Sequence, residues 1–327
     1  MPEGHSVHRI ARQFARNFVG HAVRVSSPQG RFADGAALLN GRVMTGAIAV
    51  GKQMFLEFEG GLWLRVHLGI YGAWDFAGEI STDATIRSAG GRMGQTNHRG
   101  TVLGVDDLAG EDSVRSMGAP RRARLHMAES EKEDDSDFAF PPDPVGAVRV
   151  RLLTETACAD LRGPTACEVL TVDEVSAVIA RLGPDPLDDD SPAAEDRVVA
   201  AIRKKSAPIA LLLMDQSVVS GIGNVYRAEL LFRARLDPFT PGRALTEQQC
   251  RDLWRDWVYL LGVGVATGQM MTMDDLSSDD WVRAMASRDE RHWVYHRAGE
   301  PCRVCGTPIR MQLLANRKLY WCPACQA

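Results

Sequence analysis

The chain lacks any apolar run approaching the ~18 residues that a membrane helix requires, and its start has neither the charged segment nor the apolar block of a secretory signal. It is poor in cysteine. Of seven cysteines, four are crowded into the last 26 residues, which fits a reducing compartment and a metal site better than a disulfide framework. A positive net charge is also missing: the formal value is -4 over 327 residues. That deficit comes from one place. Residues 128–145 (AESEKEDDSDFAFPPDPV) hold seven acids and one lysine, a net of -6, so the rest of the chain carries +2. Bulk charge therefore does not exclude a polyanionic partner. At 45% hydrophobic and 24% charged, the composition is that of an ordinary globular protein, long enough for two domains and a small module.

Met1-Pro2-Glu3-Gly4 opens the sequence. A small second residue favours removal of the initiator methionine, which would leave Pro2 as a free secondary amine able to attack an electrophilic carbon. Glu3 beside it is a candidate proton donor. Val7, Ile10, Ala11, Phe14 and Phe18 recur at helical spacing, so 5–18 reads as an amphipathic helix with Pro2 and Glu3 at its positive end. On these residues alone, a proline and an acid at a helix start are also simply good helix-starting chemistry.

Alternating apolar runs follow at 22–25, 42–50, 54–59, 62–68 and 101–105, the pattern of a strand-rich sandwich or barrel. Gly51-Lys52 falls between two runs and predicts a hairpin carrying Lys52. His67–Trp74 places Ile70 and Tyr71 between glycines: either a strand through the core or a loop offering a wedge between bases. Residues 88–100 read as a Gly-rich basic loop, and 116–146 as a flexible insertion. From Thr171 the periodicity becomes helical, at 173–182, 193–205, 207–215, 226–235 and 246–264. Gly221-Ile222-Gly223-Asn224 before the fourth of these allows a tight turn and exposed N–H groups able to hold a phosphate. Finally Cys302-x2-Cys305 and Cys322-x2-Cys325, sixteen residues apart, have four-thiolate zinc spacing, with a hairpin between them whose tip is placed at Asn316-Arg317.

Taken together, Pro2-Glu3-Gly4, Gly51-Lys52, Arg181-Leu182-Gly183-Pro184-Asp185-Pro186-Leu187, Leu213-Met214-Asp215-Gln216 leading to Gly221–Asn224, and the cysteine hairpin resemble the formamidopyrimidine-DNA glycosylase and endonuclease VIII family. Pro-Glu-Gly, with Leu161–Thr165, looks most like the actinobacterial endonuclease VIII branch. The resemblance implies an α+β multidomain protein. Its expected parts are an N-terminal β-sandwich catalytic domain with a flanking helix (1–150), a helix-two-turns-helix domain (151–290) and a four-cysteine zinc finger (291–327). It implies a bifunctional DNA glycosylase/AP lyase for oxidised bases, pyrimidines first. Pro2 would form the Schiff base and Glu3 would move protons, with Lys52 and Arg317 supporting β- and δ-elimination. Arg181 and Asn224 would bind the DNA backbone, and Ile70 and Tyr71 would fill the gap left by a flipped base. Cys302, Cys305, Cys322 and Cys325 would hold one structural zinc. The expected partner is double-stranded DNA carrying damaged bases or abasic sites, and no membrane. The protein would be a monomer in the cytoplasm of a bacterium, associated with the nucleoid. An oxidised-purine glycosylase of the same fold and a non-catalytic binder of abasic DNA are the alternatives. The chain departs from relatives at Ser6, where many carry glutamate, and at Gly69, where endonuclease VIII proteins often carry glutamine.

Overall fold

The computed structural model describes residues 2–81, 140–287 and 290–327, and the backbone of 116–118. The 88–100 loop, the 101–105 strand and most of the acidic run fall outside the described residues. The chain divides into two compact units, Met1–Ile179 with Val265–Gly268, and Ala180–Gly264 with Gln269–Ala327.

The first unit is built on helix α1 (Gly4–Asn17) and two antiparallel sheets. Strands β2 (Met44–Val50), β3 (Gln53–Phe58), β4 (Leu62–His67) and β9 (Ala166–Thr171) form one sheet in the order β2-β3-β4-β9. The other contains β1 (Arg24–Ser26), β5 (Ala73–Gly78), β6 (Ser116–Gly118), β7 (Val148–Leu153) and β8 (Ala157–Arg162), in the order β1-β7-β8-β5-β6. Helices α2 (Ala33–Leu39) and α3 (Val172–Ile179) flank them. One apolar cluster joins α1 to both sheets: Ile10, Phe14 and Phe18 pack with Met44, Leu64, Trp74 and Leu161, all essentially without exposed surface. Phe14 meets Trp74 edge-on at 4.8 Å.

The strand-rich unit extends well past residue 150. β7, β8 and β9 complete both sheets, and α3 closes the unit at Ile179. Their outward positions are charged, which masks the strand rhythm. Arg151 donates to both carboxylate oxygens of Asp160, at 2.7 and 2.6 Å, and Arg162 pairs with Asp75. The same two arginines donate to the carbonyls of Pro142 (2.7 Å) and Val145 (3.4 Å), fastening the end of the acidic segment to the sheet. Ser116–Gly118, expected to begin the flexible insertion, instead pairs with β5.

In the second unit, helices α4 (Pro192–Arg203), α5 (Ile209–Leu212), α6 (Asn224–Arg233), α7 (Glu247–Thr267, whose last turn belongs to the first unit) and α8 (Ser278–Ala286) precede the hairpin β10 (Arg310–Leu314) and β11 (Arg317–Trp321). Two motifs distant in sequence lock together here. The Gly183 N–H donates to Gln216 O at 2.8 Å, and the Ser220 N–H and hydroxyl donate to Pro184 O and Gly183 O at 2.9 and 2.7 Å. A Cβ on Gly183 would fall 2.4 Å from the Val218 carbonyl carbon, so only glycine permits this approach. The Gln216 side chain accepts from the Gly221 N–H (3.0 Å) and donates to Ile222 O (3.1 Å), shaping the turn into α6.

Candidate active site and nucleic-acid interface

Pro2 and Glu3 are buried, Glu3 completely. Glu3 is the N-cap of α1: its carbonyl accepts from the Ser6 and Val7 N–H groups (3.1 and 3.4 Å), while its carboxylate makes no capping bond. The Glu3 side chain is therefore buried beside Pro2 at the positive end of the helix and is not spent on the cap. The first turns of α1 differ from the amphipathic expectation. His5, Ser6, His8 and Arg9 are buried along with the apolar face. Ser6, in place of the relatives' acid, lies 3.2 Å from His5 Nε2.

Lys52 sits half-buried in the β2–β3 turn, behind Gly51 at φ 60°. Burial lowers the pKa of His67, at the end of β4, and the nearby charges of Lys52 and Arg65 lower it further. His67 is a further candidate, set by the strand register beside the β2–β3 turn that carries Lys52. Its signal was the cross-strand register, which pairs His67 with Gln53, next to Lys52.

Ile70 and Tyr71 lie in the loop after β4, each 44% exposed, whereas Trp74 is buried as part of β5. Ile70 and Tyr71 thus stand on an exposed loop, and Trp74 belongs to the core. Gly69, at φ 68°, has no room for more: a Cβ there would fall 1.8 Å from Thr165 Oγ1. Gly69→Gln is therefore expected to cost about 2–3 kcal/mol from left-handed strain and overlap. Thr165→Ala in the same chain should return part of that loss. Denaturant unfolding of the single and double variants is the check.

In the second unit, Arg181 is exposed directly before the locked Gly183–Pro184 turn. Asn224 is the first residue of α6 and is buried. Its amide donates to Lys318 O at 2.9 Å, and its Oδ1 accepts from Arg227, which also donates to Lys318 O at 3.2 Å. The helix start therefore grips the edge of the zinc hairpin, a contact that nothing local in sequence announces. The hairpin tip is Ala315-Asn316 at φ 48° and 60°, the signs a type I′ turn requires. Arg317, expected at the tip, instead begins β11, paired with Leu314.

The four cysteine sulfurs lie within 4.8 Å of one another, Cys302–Cys325 at 3.9 Å and Cys305–Cys322 at 3.4 Å. Tetrahedral Zn–S bonds of about 2.3 Å require edges of about 3.8 Å, so these thiolates form a site for one structural zinc. Thr307 holds the Cys305 thiol down to about 6, close to its bound, deprotonated form. The Gln326 side chain accepts from the Cys322 N–H (2.9 Å) and donates to Leu236 O (3.0 Å), tying the module to the end of α6.

Three family profiles match the chain. They are the formamidopyrimidine-DNA glycosylase N-terminal domain over residues 1–112, the H2TH domain of the same enzymes over 182–275, and a zinc finger found in FPG and IleRS over 299–327. The chain belongs to the formamidopyrimidine-DNA glycosylase/endonuclease VIII family, whose members are DNA glycosylases with AP lyase activity acting in base excision repair. Within it, the chain is 40% identical over 326 residues to Endonuclease 8 1 of Mycobacterium tuberculosis, covering 100% of both. It is 38% identical over 149 residues to the formamidopyrimidine-DNA glycosylase of Thermus thermophilus, covering 46% of this chain and 55% of that one. The fold matches the crystal structure of the Thermus thermophilus Fpg protein with TM-score 0.64 at 24% identity, covering 99% and 98% of the two chains. It also matches Lactococcus lactis Fpg in complex with DNA containing N7-benzyl-Fapy-dG, with TM-score 0.69 at 18% identity and 99% of both chains covered. No helix among the described residues is long and apolar enough to cross a membrane.

Proposed function

We propose that this protein excises oxidised bases, pyrimidines first, from double-stranded DNA and cleaves the resulting abasic site through an N-terminal Schiff base. After removal of Met1, the Pro2 nitrogen attacks C1′ of the damaged nucleotide. The base leaves with the bonding electron pair and takes a proton from solvent, and the proton that Pro2 loses passes through Glu3 to the ring oxygen as the sugar opens to the iminium. The iminium draws electrons from C2′. Loss of the C2′ proton then expels the 3′-phosphate, and a second elimination expels the 5′-phosphate. The observation that carries this reading is the buried Glu3 carboxylate next to Pro2, at the positive end of α1 and not used in the cap. Lys52, with His67 beside it, would hold a phosphate near the reacting sugar. Arg181, Asn224 and Arg317 would hold the flanking backbone, with Asn224 also setting the hairpin in place. Ile70 and Tyr71, exposed on their loop, would enter the vacated space in the duplex. The DNA-bound structures of Lactococcus lactis Fpg, including a complex with an abasic site, support a duplex partner. The full-length likeness is to Endonuclease 8 1, and it is the resemblance to the endonuclease VIII branch that suggests pyrimidine lesions.

The test is borohydride reduction of the enzyme on duplexes carrying an abasic site, an oxidised pyrimidine or 8-oxoguanine, with peptide mapping of the adduct. The expected result is a stable adduct at Pro2, formed fastest on the abasic and pyrimidine duplexes. An adduct on Lys52 would overturn the assignment of the nucleophile. Preference for 8-oxoguanine would overturn the pyrimidine reading.

A further inference from the structure

Arg227 has no exposed surface, although it lies only one helical turn after Asn224 on α6. Its backbone N–H donates to Gly223 O at 2.9 Å, closing the first turn. Its guanidinium donates to Asn224 Oδ1 and, at 3.2 Å, to Lys318 O. Charged side chains almost never leave water completely unless partners hold them.

These bonds select the orientation of one amide. The two ends of an asparagine side chain have nearly the same shape, but one only accepts and the other only donates. Arginine has N–H donors and no acceptor, so the end of Asn224 that faces Arg227 must be oxygen. The amide nitrogen is then turned to Lys318 O, 2.9 Å away. That bond takes one of its two hydrogens and leaves the other. A reversed amide would set oxygen against the Lys318 carbonyl and nitrogen against the guanidinium, two repulsions in a buried site. Asparagine also tends to fold its oxygen back onto neighbouring backbone N–H groups, and the start of α6 has no side-chain cap to satisfy them. Arg227 claims that oxygen instead.

We propose that Arg227 is a positioning residue that fixes the donor end of the Asn224 amide for a DNA phosphate, without touching DNA itself. A phosphate accepts hydrogen bonds and repels an amide oxygen, so a flipped Asn224 would lose its grip on the backbone. The inference rests on the reading of Asn224 as a backbone ligand given above.

The test is a double-mutant cycle between Arg227→Met and Asn224→Ala in zinc-loaded protein. It reads the dissociation constant for a duplex with a tetrahydrofuran abasic analogue. Arg227→Met alone is expected to raise that constant about five-fold, within the range of coupled neighbours, and to change it less than about two-fold on Asn224→Ala, where no amide remains to orient. The slope of log affinity against log salt should stay at its wild-type value, because a residue that meets no phosphate releases no counterion. Arg227→Lys keeps a donor for Oδ1. It should show a smaller loss that also disappears on Asn224→Ala, and it carries the cycle if the methionine variant does not fold. Equal losses in both backgrounds would overturn the inference and make Arg227 a structural residue. A salt slope reduced by about one would overturn it by making Arg227 a phosphate ligand. Wild-type affinity in Asn224→Ala would instead sink the reading of Asn224 on which the inference rests.

Discussion

Glu3→Gln is expected to leave the protein folded and to slow base release in a single turnover by about 10³-fold, within the range set by removing a positioned general acid or base. The cap of α1 does not depend on the Glu3 side chain. The residue types that cap helices well use a short side chain to accept from the second or third N–H of the helix. Glu3 makes no such bond, and the cap is served by its carbonyl, which glutamine retains. Glutamine has nearly the same shape and can still hydrogen-bond through its side chain, so the variant removes the carboxylate's charge and proton while keeping the cap and the packing. Thermal unfolding should therefore move by no more than a few degrees while the rate collapses. Should the melting temperature fall in step with activity, Glu3 is a structural residue and the assignment fails. Full activity in a well-folded Glu3→Gln protein would be equally damaging.

The second large effect is expected at Glu229, in the helical unit. This carboxylate is completely buried on α6. It accepts from the Trp293, Val294 and Tyr295 N–H groups at 2.8, 3.0 and 2.9 Å, and from the Thr272 hydroxyl at 2.5 Å. Burial pushes its pKa up, and the four donors oppose that shift. The segment it holds leads directly into the zinc module, where Tyr295 meets Tyr320 edge-on. Glu229→Ala would orphan the Trp293, Val294 and Tyr295 N–H groups, each worth about 1–3 kcal/mol when buried and unsatisfied, while the Thr272 hydroxyl keeps Arg291 O as an acceptor at 2.9 Å. The expected loss is about 4 kcal/mol of unfolding free energy, read by denaturant titration of the zinc-loaded protein. Glu229→Gln should also be harmful, because one acceptor oxygen becomes an NH₂ facing other donors. A loss under 1 kcal/mol for the alanine variant would show that the segment is held by other means.

Local chemistry carried much of the sequence reading. The thiolate spacing found the zinc site, Gly51 marked the turn at Lys52, and helical spacing found α1. Long-range contacts explain what was hidden. Gly183 is a glycine because Val218 presses on it, and Gln216 is a glutamine because Gly221 and Ile222 need its amide. Asn224 spends its side chain on a strand about ninety residues away. Strands β7 and β8 were missed as members of the first unit because Arg151, Asp160 and Arg162 interrupt their apolar rhythm with ion pairs that form only once the sheet exists, and Glu168, paired with Arg65, does the same in β9. The hairpin tip was misplaced by one residue because Ala315 is a poor predictor of positive φ, and the turn type rather than residue preference set the register.

The fastening of Pro142 and Val145 by two arginines has a practical side. Gly118 sits opposite Ala73 at the start of β5, and the Phe140 ring lies close to Gly78 at its end. Both anchors of the intervening stretch therefore rest along one six-residue strand, about 17 Å from end to end. A neutral linker of about seven residues could span that gap, giving a shortened chain freed of most of its acidic ballast and better suited to crystallisation with an oligonucleotide.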